Sequence, residues 1–351
     1  VKQAKASNPK NHMSLNQTRR LAALVLASLM LVACLPVRPP PPAQPTSEPN
    51  PIGAKNVELY VLPDDDEIQL LNRIGSAKRR VYMKMYLLTE TRIIDALKRA
   101  KANGAEVRAM IEERPFGGGT AAQTAFNRLR EAGINTKTTN PTFRLSHEKS
   151  FIIDDVAVIS TANMTRSSFS RNREFMVLID NIIDVAELVT CFDADWNRQK
   201  FAPRSQNLVW SPVNARERIN DLINSADDTL LVYAASSSDD EQTSLIAAAK
   251  KRGVDVRVLT SPPRPDETDD PDAGNLDKMQ RAKVKVRNLK SPFVHAKMFL
   301  ADDKLAYVGS VNISTASLNF NRELGILVSD PNALRRIRAT FEQDWDKATD
   351  R

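Results

Sequence analysis

The sequence predicts an α/β protein built from two similar domains related by a pseudo-twofold, each a mixed sheet flanked by helices. Three observations carry that prediction. The pattern H-x-K-x-x-x-x-D occurs twice, as His147, Lys149 and Asp154 and again as His295, Lys297 and Asp302, using two of the chain's three histidines. Each copy continues alike, through Ser160-Thr161-Ala162-Asn163 and Asn172-Arg173-Glu174 in the first, and Gly309-Ser310-Val311-Asn312 and Asn321-Arg322-Glu323 in the second. Each half also closes on a similar helical segment, Phe192–Trp196 and Phe341–Trp345.

Apolar runs bounded by turn residues alternate with stretches of helical period, the pattern of α/β units. In the first half, 57–62 reads as strand, 67–77 as helix, 80–88 as strand, 91–102 as helix, 106–112 as strand and 121–132 as helix. The second half repeats the order: strand at 208–210, helix at 215–225, strand at 229–235, helix at 242–251, strand at 255–259 and helix at 274–282. Segments 149–153 and 157–160, joined by Asp154-Asp155, read as a hairpin. Side chains two apart on a strand share a face, so His147 points with Lys149 and His295 with Lys297. The motif His, Lys and Asp are offset by 148 and the Asn and Glu residues after the hairpin by 149, which fits a turn one residue longer in the second copy.

These residue types suit a phosphodiester. Its cleavage needs an in-line nucleophile, a proton donor for the leaving alkoxide, and cationic or amide donors for the phosphoryl oxygens. Imidazole can serve as nucleophile or as acid near neutral pH.

The chain resembles the phospholipase D superfamily, the two-motif H-K-D phosphodiesterases, and the resemblance covers residues 54–351. It implies one active site at the interface of two phospholipase D-like domains, 54–204 and 205–351, with no metal and no cofactor. It implies that His147 attacks to give a phosphohistidine and that His295 protonates the leaving alcohol, then activates water or another alcohol. Lys149, Lys297, Asn163 and Asn312 would hold the non-bridging oxygens, Thr161 and Ser310 would add hydroxyl contacts, and Glu174 and Glu323 would fix the histidine tautomers. Asp154 and Asp302 complete the catalytic motifs but sit beside the hairpin turns, so their expected part is mainly structural. One departure is Ser160 where the family has glycine. A serine cannot relax the backbone as glycine does, so tighter or shifted phosphate contacts are expected in the first half.

The N-terminal region reads differently. Lys2, Lys5, Lys10, Arg19 and Arg20 give it five positive charges and no acidic residue, leaving only +2 of the formal +7 for the rest of the chain. The basic balance is therefore weak support for a nucleic-acid partner. An apolar run from Leu21 to Ala33, too short to span a bilayer comfortably, ends in Leu31-Val32-Ala33-Cys34. It resembles a bacterial lipoprotein signal, which implies export to the cell envelope, cleavage after residue 33 and a lipid anchor at Cys34; residues 1–12 read as an extension ahead of Met13. Eight prolines in 36–51 predict an extended tether over 34–53. Cys191 reads as a small core residue, so no disulfide is expected.

A phospholipid is the expected substrate, processed by hydrolysis or by transfer of the phosphatidyl group, in a monomer held at a membrane. The acidic loop at 262–272 favours a cationic headgroup over a polyanion, and 116–120 reads as a flexible loop. The basic series Arg281, Lys283, Lys285, Arg287 and Lys290 supports a second reading, a metal-independent envelope nuclease, although alternating charge also protects an edge strand from pairing. A non-catalytic lipoprotein that binds phosphorylated ligands is the third.

Overall fold

The computed structural model describes residues 52–116, 119–263 and 270–351. The signal-like segment, Cys34 and the tether up to residue 51 lie outside the described residues, as do 117–118 and 264–269 of the two loops.

In the first half, β1 (Glu58–Leu62), α1 (Ile68–Ser76), β2 (Arg80–Met85), α2 (Thr91–Ala102), β3 (Glu106–Ile111), α3 (Ala121–Glu131) and β4 (Asn135–Thr138) lead to the hairpin β5 (Lys149–Ile153) and β6 (Val156–Ser160). A short helix α4 (Arg166–Ser170), β7 (Asn172–Ile179) and α5 (Ile182–Trp196) complete it. The second half runs β8 (Leu208–Ser211), α6 (Ala215–Asn224), β9 (Thr229–Ala234), α7 (Asp240–Arg252), β10 (Asp255–Thr260), α8 (Ala273–Arg281) and β11 (Lys285–Asn288). After these come β12 (Phe293–Val294), β13 (Lys297–Ala301), β14 (Leu305–Gly309), α9 (Thr315–Asn319), β15 (Glu323–Val328), α10 (Pro331–Lys347) and β16 (Thr349–Asp350).

Each half makes one mixed sheet, and the strand orders match. The first is β1-β7-β6-β5-β2-β3-β4; the second is β8-β15-β14-β13-β9-β10-β11, extended at its edge by β16. The central strands β2 and β9 pair parallel to β3 and β10 and antiparallel to the hairpin strands β5 and β13. One face of the first sheet packs with Leu70, Ile74, Ile93 and Leu97 of α1 and α2, and the corresponding face of the second with Ile219, Leu222 and Ile246. The other faces share a single core, in which Phe175, Val177 and Tyr82 of one sheet meet Tyr233, Leu324 and Ile326 of the other along with Phe192 of α5 and Phe341 of α10. This common core joins the halves and fixes the strand ends that carry the motifs.

Strands β7 and β15 carry the Asn-x-Glu residues. In β7, Phe175, Val177 and Ile179 enter the shared core while Met176 and Leu178 enter the first half's own. Both faces are covered, so the strand reads as a continuous apolar run instead of an alternating one. The predicted strand over 80–88 stops at Met85; Tyr86 turns away, and Leu88 makes an isolated bridge to Met164.

The basic series does not form one open track. Arg281 ends α8, Lys283 has φ +68°, and β11 is covered by β16. Lys285 donates to Asp255 and Arg287 to Asp350.

Candidate active site

The segments entering β5 and β13 cross to the opposite half. The His147 N–H donates to the Arg322 carbonyl (2.9 Å), and the His295 N–H to that of Arg173 (3.3 Å). Strand β12 pairs in parallel with the start of β7, and Ser146 bridges Arg322 in the equivalent way. Each histidine therefore meets the glutamate of the other half. His147 Nδ1 lies 2.9 Å from Glu323 Oε2, and His295 Nδ1 lies 2.7 Å from Glu174 Oε1. Both histidines line one cleft of about 770 Å³.

This pairing sets the tautomers. Burial pushes the carboxyls of Glu323 and Glu174 up, but His147 and Lys149 beside the first, and His295 and Lys297 beside the second, outweigh it and hold both below the usual carboxylate range. An ionised carboxylate only accepts, and His147 Nδ1 also faces the Ser310 carbonyl at 3.2 Å. The proton therefore sits on Nδ1, leaving the Nε2 lone pair free. Burial lowers His147 to about 4 and moves His295 downward, against the pull of their glutamates. Both imidazoles are neutral at pH 7 when the cleft is empty.

Lys149 and Lys297 are buried, and each donates to the carbonyl of its own histidine. Burial depresses Lys149 well below its ordinary value and Lys297 to about 8. Each ammonium has three hydrogens, so donors remain beyond that bond. Asn163 and Asn312 line the cleft, and their buried Oδ1 atoms have no partner among the described residues. Asn172 and Asn321, also on the cleft wall, donate to Glu174 and Glu323 at 3.3 and 3.2 Å.

Thr161 and Ser310 depart from expectation. Their hydroxyls are fully buried and engaged by the protein. Thr161 Oγ1 donates to Glu174 Oε2 (2.6 Å) and accepts from the Phe175 N–H; Ser310 Oγ accepts from the Leu324 N–H. They brace the glutamate strands and present no hydroxyl to the cleft. Asp154 and Asp302 sit at the far ends of β5 and β13 from the histidines. Their carboxylates collect the N–H groups of residues 78–80 and 227–229 at the entrances to β2 and β9. Although they complete the catalytic motifs, they touch no group of the cleft and hold turn-fixing positions, with φ of +53° and +51°, a region aspartate tolerates.

The Ser160 departure also has a local explanation. Ser160 Oγ accepts from the Ala162 N–H at 2.9 Å. In the second half the equivalent Val311 N–H donates instead to the Tyr307 hydroxyl at 3.1 Å. The Tyr307 ring occupies the space left by Gly309 and Gly325: a Cβ on Gly309 would lie 2.3 Å from the Gly325 Cα and 2.6 Å from the Tyr307 hydroxyl. The serine and the glycine thus serve alternative ways of capping the same amide.

Several positioning residues carried no assigned part in the sequence reading. Arg173 and Arg322, inside the Asn-Arg-Glu repeats, reach across the shared core to Asp344 (2.6 Å) and Asp195 (3.0 Å). Their signal was available, since both aspartates fall in the matched closing helices. Around Asp195 a buried Lys84 bridges to Glu148, each contact at 2.8 Å. The second half has Tyr233 and Ala296 at those two positions, so the extra cation and the extra anion are replaced together; the Tyr233 hydroxyl donates to Asp344. Tyr86 packs edge-on against His147, with ring centres 4.6 Å apart, and lies under the Lys149 ammonium.

Comparison with known proteins is consistent with this arrangement. The family described as "Cardiolipin synthase, PLD-like domain" matches at residues 70–196 and again at 219–345. The chain belongs to the phospholipase D superfamily. It is a phospholipase D-like enzyme with the domain present twice. Cardiolipin synthase 1 of Bacillus anthracis is 23% identical over 343 residues, covering 84% of this chain and 67% of that protein. The major cardiolipin synthase ClsA of Bacillus subtilis is 24% identical, covering 79% and 66%. The chain thus spans about two thirds of the length of these relatives. Among solved structures, phosphatidylserine synthase of Haemophilus influenzae superposes with a TM-score of 0.65 at 15% identity, covering 86% of this chain and 89% of that one. Polyphosphate kinase of Porphyromonas gingivalis gives 0.63 at 17% identity, covering 82% and 50%. These likenesses support the superfamily fold.

Proposed function

We propose that the chain is a phospholipid phosphodiesterase or phosphatidyl transferase acting through a phosphohistidine. The observation that carries the reading is a pair of histidines, each oriented at Nδ1 by a carboxylate from the opposite half, in one cleft whose wall mixes polar donors with Tyr86, Leu87, Phe116, Leu145 and Phe293. Phe116 is 92% exposed. Asparagines on the cleft wall, with a buried lysine bonded to the carbonyl of each histidine, suit a phosphodiester, and the apolar rim suits acyl-bearing molecules. The cardiolipin synthase relatives favour the same substrate class.

In the first step the His147 Nε2 lone pair forms a bond to phosphorus as the bond to the headgroup oxygen breaks. The leaving oxygen takes a proton from His295. An arriving phosphodiester anion beside His295 raises its proton affinity and readies it as the acid. His147 is the deeper of the two, its side chain 11% exposed against 25% for His295, which suits it to remain unprotonated as nucleophile. In the second step water or an alcohol gives its proton to His295 as its oxygen bonds to phosphorus and the P–N bond breaks. Lys149, Lys297, Asn163 and Asn312 hold the non-bridging oxygens.

No helix among the described residues is long and apolar enough to cross a membrane. The proposed attachment is a lipid on Cys34 with 34–53 as the tether, placing a monomeric enzyme on the envelope membrane. The test uses the purified full chain with EDTA, offered phosphatidylglycerol, phosphatidylethanolamine and phosphatidylcholine vesicles beside plasmid DNA. Headgroup release that disappears in His147→Ala and in His295→Ala supports the proposal. DNA cleavage without lipid turnover would replace it with the nuclease reading.

A further inference from the structure

His147 is carried by an arm. Between β4 and β5, residues 139–148 form no helix and no continuous strand, and they take the histidine across to the other half. The arm docks there on Arg322. The Arg322 guanidinium carbon lies 4.1 Å from the centre of the Phe143 ring, the Arg322 N–H donates to the Leu145 carbonyl (2.9 Å), and the His147 N–H donates to the Arg322 carbonyl (2.9 Å). Both ends of the arm are tied to the first half by one buried side chain, Glu112, directly after β3. Glu112 Oε2 accepts the Thr139 hydroxyl (2.8 Å) at the start of the arm and the Ser146 N–H (2.7 Å) next to His147. Oε1 accepts the Arg114 N–H at 3.1 Å, and the Glu112 N–H donates to the Met85 carbonyl at the end of β2, also at 3.1 Å.

The second half makes the same clamp with different chemistry. Ser261 stands at the matched position after β10: the Leu289 N–H donates to the Thr260 carbonyl (2.8 Å) as the Thr139 N–H does to that of Ile111 (3.1 Å). Ser261 Oγ accepts the Val294 N–H (2.7 Å) beside His295 and donates to the Leu289 carbonyl (3.0 Å). A hydroxyl can donate as well as accept, so it bonds to a carbonyl where a carboxylate needs the Thr139 hydroxyl. The stretch from Leu289 to Val294 is two residues shorter than that from Thr139 to Ser146, and the shorter side chain closes it. The tie is kept on both arms although the residue that makes it is not.

We propose that Glu112 is a positioning residue for the nucleophile: its carboxylate closes the arm over 139–146 at both ends and so fixes where His147 meets phosphorus. The assignment rests on the reading of the cleft as a phosphodiester-transfer site in which His147 attacks. Closing a flexible segment at both ends removes conformations it would otherwise sample. An in-line attack tolerates little of that freedom, since a misplacement of about 1 Å can cost about a hundredfold in rate. Glu323 orients the His147 ring at Nδ1, and Glu112 holds the backbone from which the ring extends. Glu112 is absent from the cleft lining, so it acts through the arm alone.

The test compares the parent, Glu112→Ala and Glu112→Gln as full chains, on bis(p-nitrophenyl) phosphate and on phosphatidylglycerol vesicles. Glu112→Ala is expected to lose about 10–100-fold in kcat with KM within about twofold. Glu112→Gln, whose amide oxygen still accepts the Ser146 N–H, is expected to stay within about threefold of the parent. Hydrogen exchange read by mass spectrometry is the second readout. Peptides covering 139–147 should exchange at least about tenfold faster in Glu112→Ala, while those from β7 keep the parent's rates. If Glu112→Ala does not fold, Thr139→Val removes one of the two ties and should move both readouts the same way by a smaller factor. Unchanged kcat, a loss carried by KM, equal losses in the alanine and glutamine variants, or unchanged exchange over 139–147 overturns the assignment. The expected responses on bis(p-nitrophenyl) phosphate with no turnover of phosphatidylglycerol remove the lipid reading and leave the clamp standing. Lipid turnover that Glu112→Ala leaves unchanged does the reverse, and no turnover of either substrate removes both.

Discussion

Glu323 and Glu174 decide which imidazole nitrogen faces the cleft, and that choice is where the chemistry is most sensitive. Glu323→Gln keeps the shape but lets an amide donate toward His147 Nδ1, favouring the wrong tautomer. By the size of such effects in histidine–carboxylate pairs, kcat should fall by about 10³–10⁴. Steady-state turnover together with the His147 ring-nitrogen resonances checks this: a slow enzyme with an unaltered tautomer would contradict it. The depressed pKa of His147 also links to stability. The unfolded chain takes up a proton near pH 6.5, whereas the folded site resists until about 4. As pH falls through that window, this group alone should remove about 3 kcal/mol, with the full contribution present above 6.5. Denaturation of the parent and His147→Gln from pH 7.5 to 4 measures it; equal pH slopes would count against it. The histidines, lysines, asparagines and glutamates of the site were legible in the repeated motif. The exchange of glutamates between halves was not, because sequence spacing orders residues along a strand and says nothing of which strand end lies opposite.

At the scale of elements, the hairpins and the central strands were visible from their short apolar runs, but β7 and β15 lacked the alternation that marks a half-exposed strand. Being buried on both faces, they read only as apolar segments after a motif. The edge strands β4 and β16 were equally quiet, since pairing partners define them more than composition does. The clamps between elements carry testable energy. Removing one partner of the buried Arg173–Asp344 pair, as in Asp344→Asn, should cost about 3–5 kcal/mol by leaving the guanidinium poorly compensated, read as a shift in the denaturation midpoint. The β14–β15 contact offers a second test. Gly309→Ser should destabilise by about 1–3 kcal/mol through overpacking against Gly325 and Tyr307. Adding Tyr307→Val recreates the Val158 and Ser160 arrangement of the first half, so the double variant should recover part of the loss. Strict additivity of the two substitutions would show that the two capping schemes are not exchangeable.

For the whole molecule, duplication is the organising fact. One shared core aligns two sheets so that neither half holds a complete site: each supplies the histidine for its own motif and the glutamate for the other's. The offsets of 148 and 149 residues already implied two facing half-sites, and the fold class followed from them. What the repeat could not convey is where the halves have diverged, at Tyr86 against Ala235 and at Lys84 with Glu148 against Tyr233 with Ala296, because similarity finds the common pattern and the asymmetry lies outside it. The central claim is that this composite site passes a phosphatidyl group through His147 with His295 as its proton carrier. The most direct measurement is acid-free trapping of the full chain after mixing with vesicles of phosphate-labelled phosphatidylglycerol, followed by mapping of the label. The account predicts a base-stable, acid-labile label on His147, absent from His147→Ala and strongly reduced in His295→Ala, where the first step lacks its acid. Continued lipid turnover with no label on His147, or with the label on His295, would contradict it.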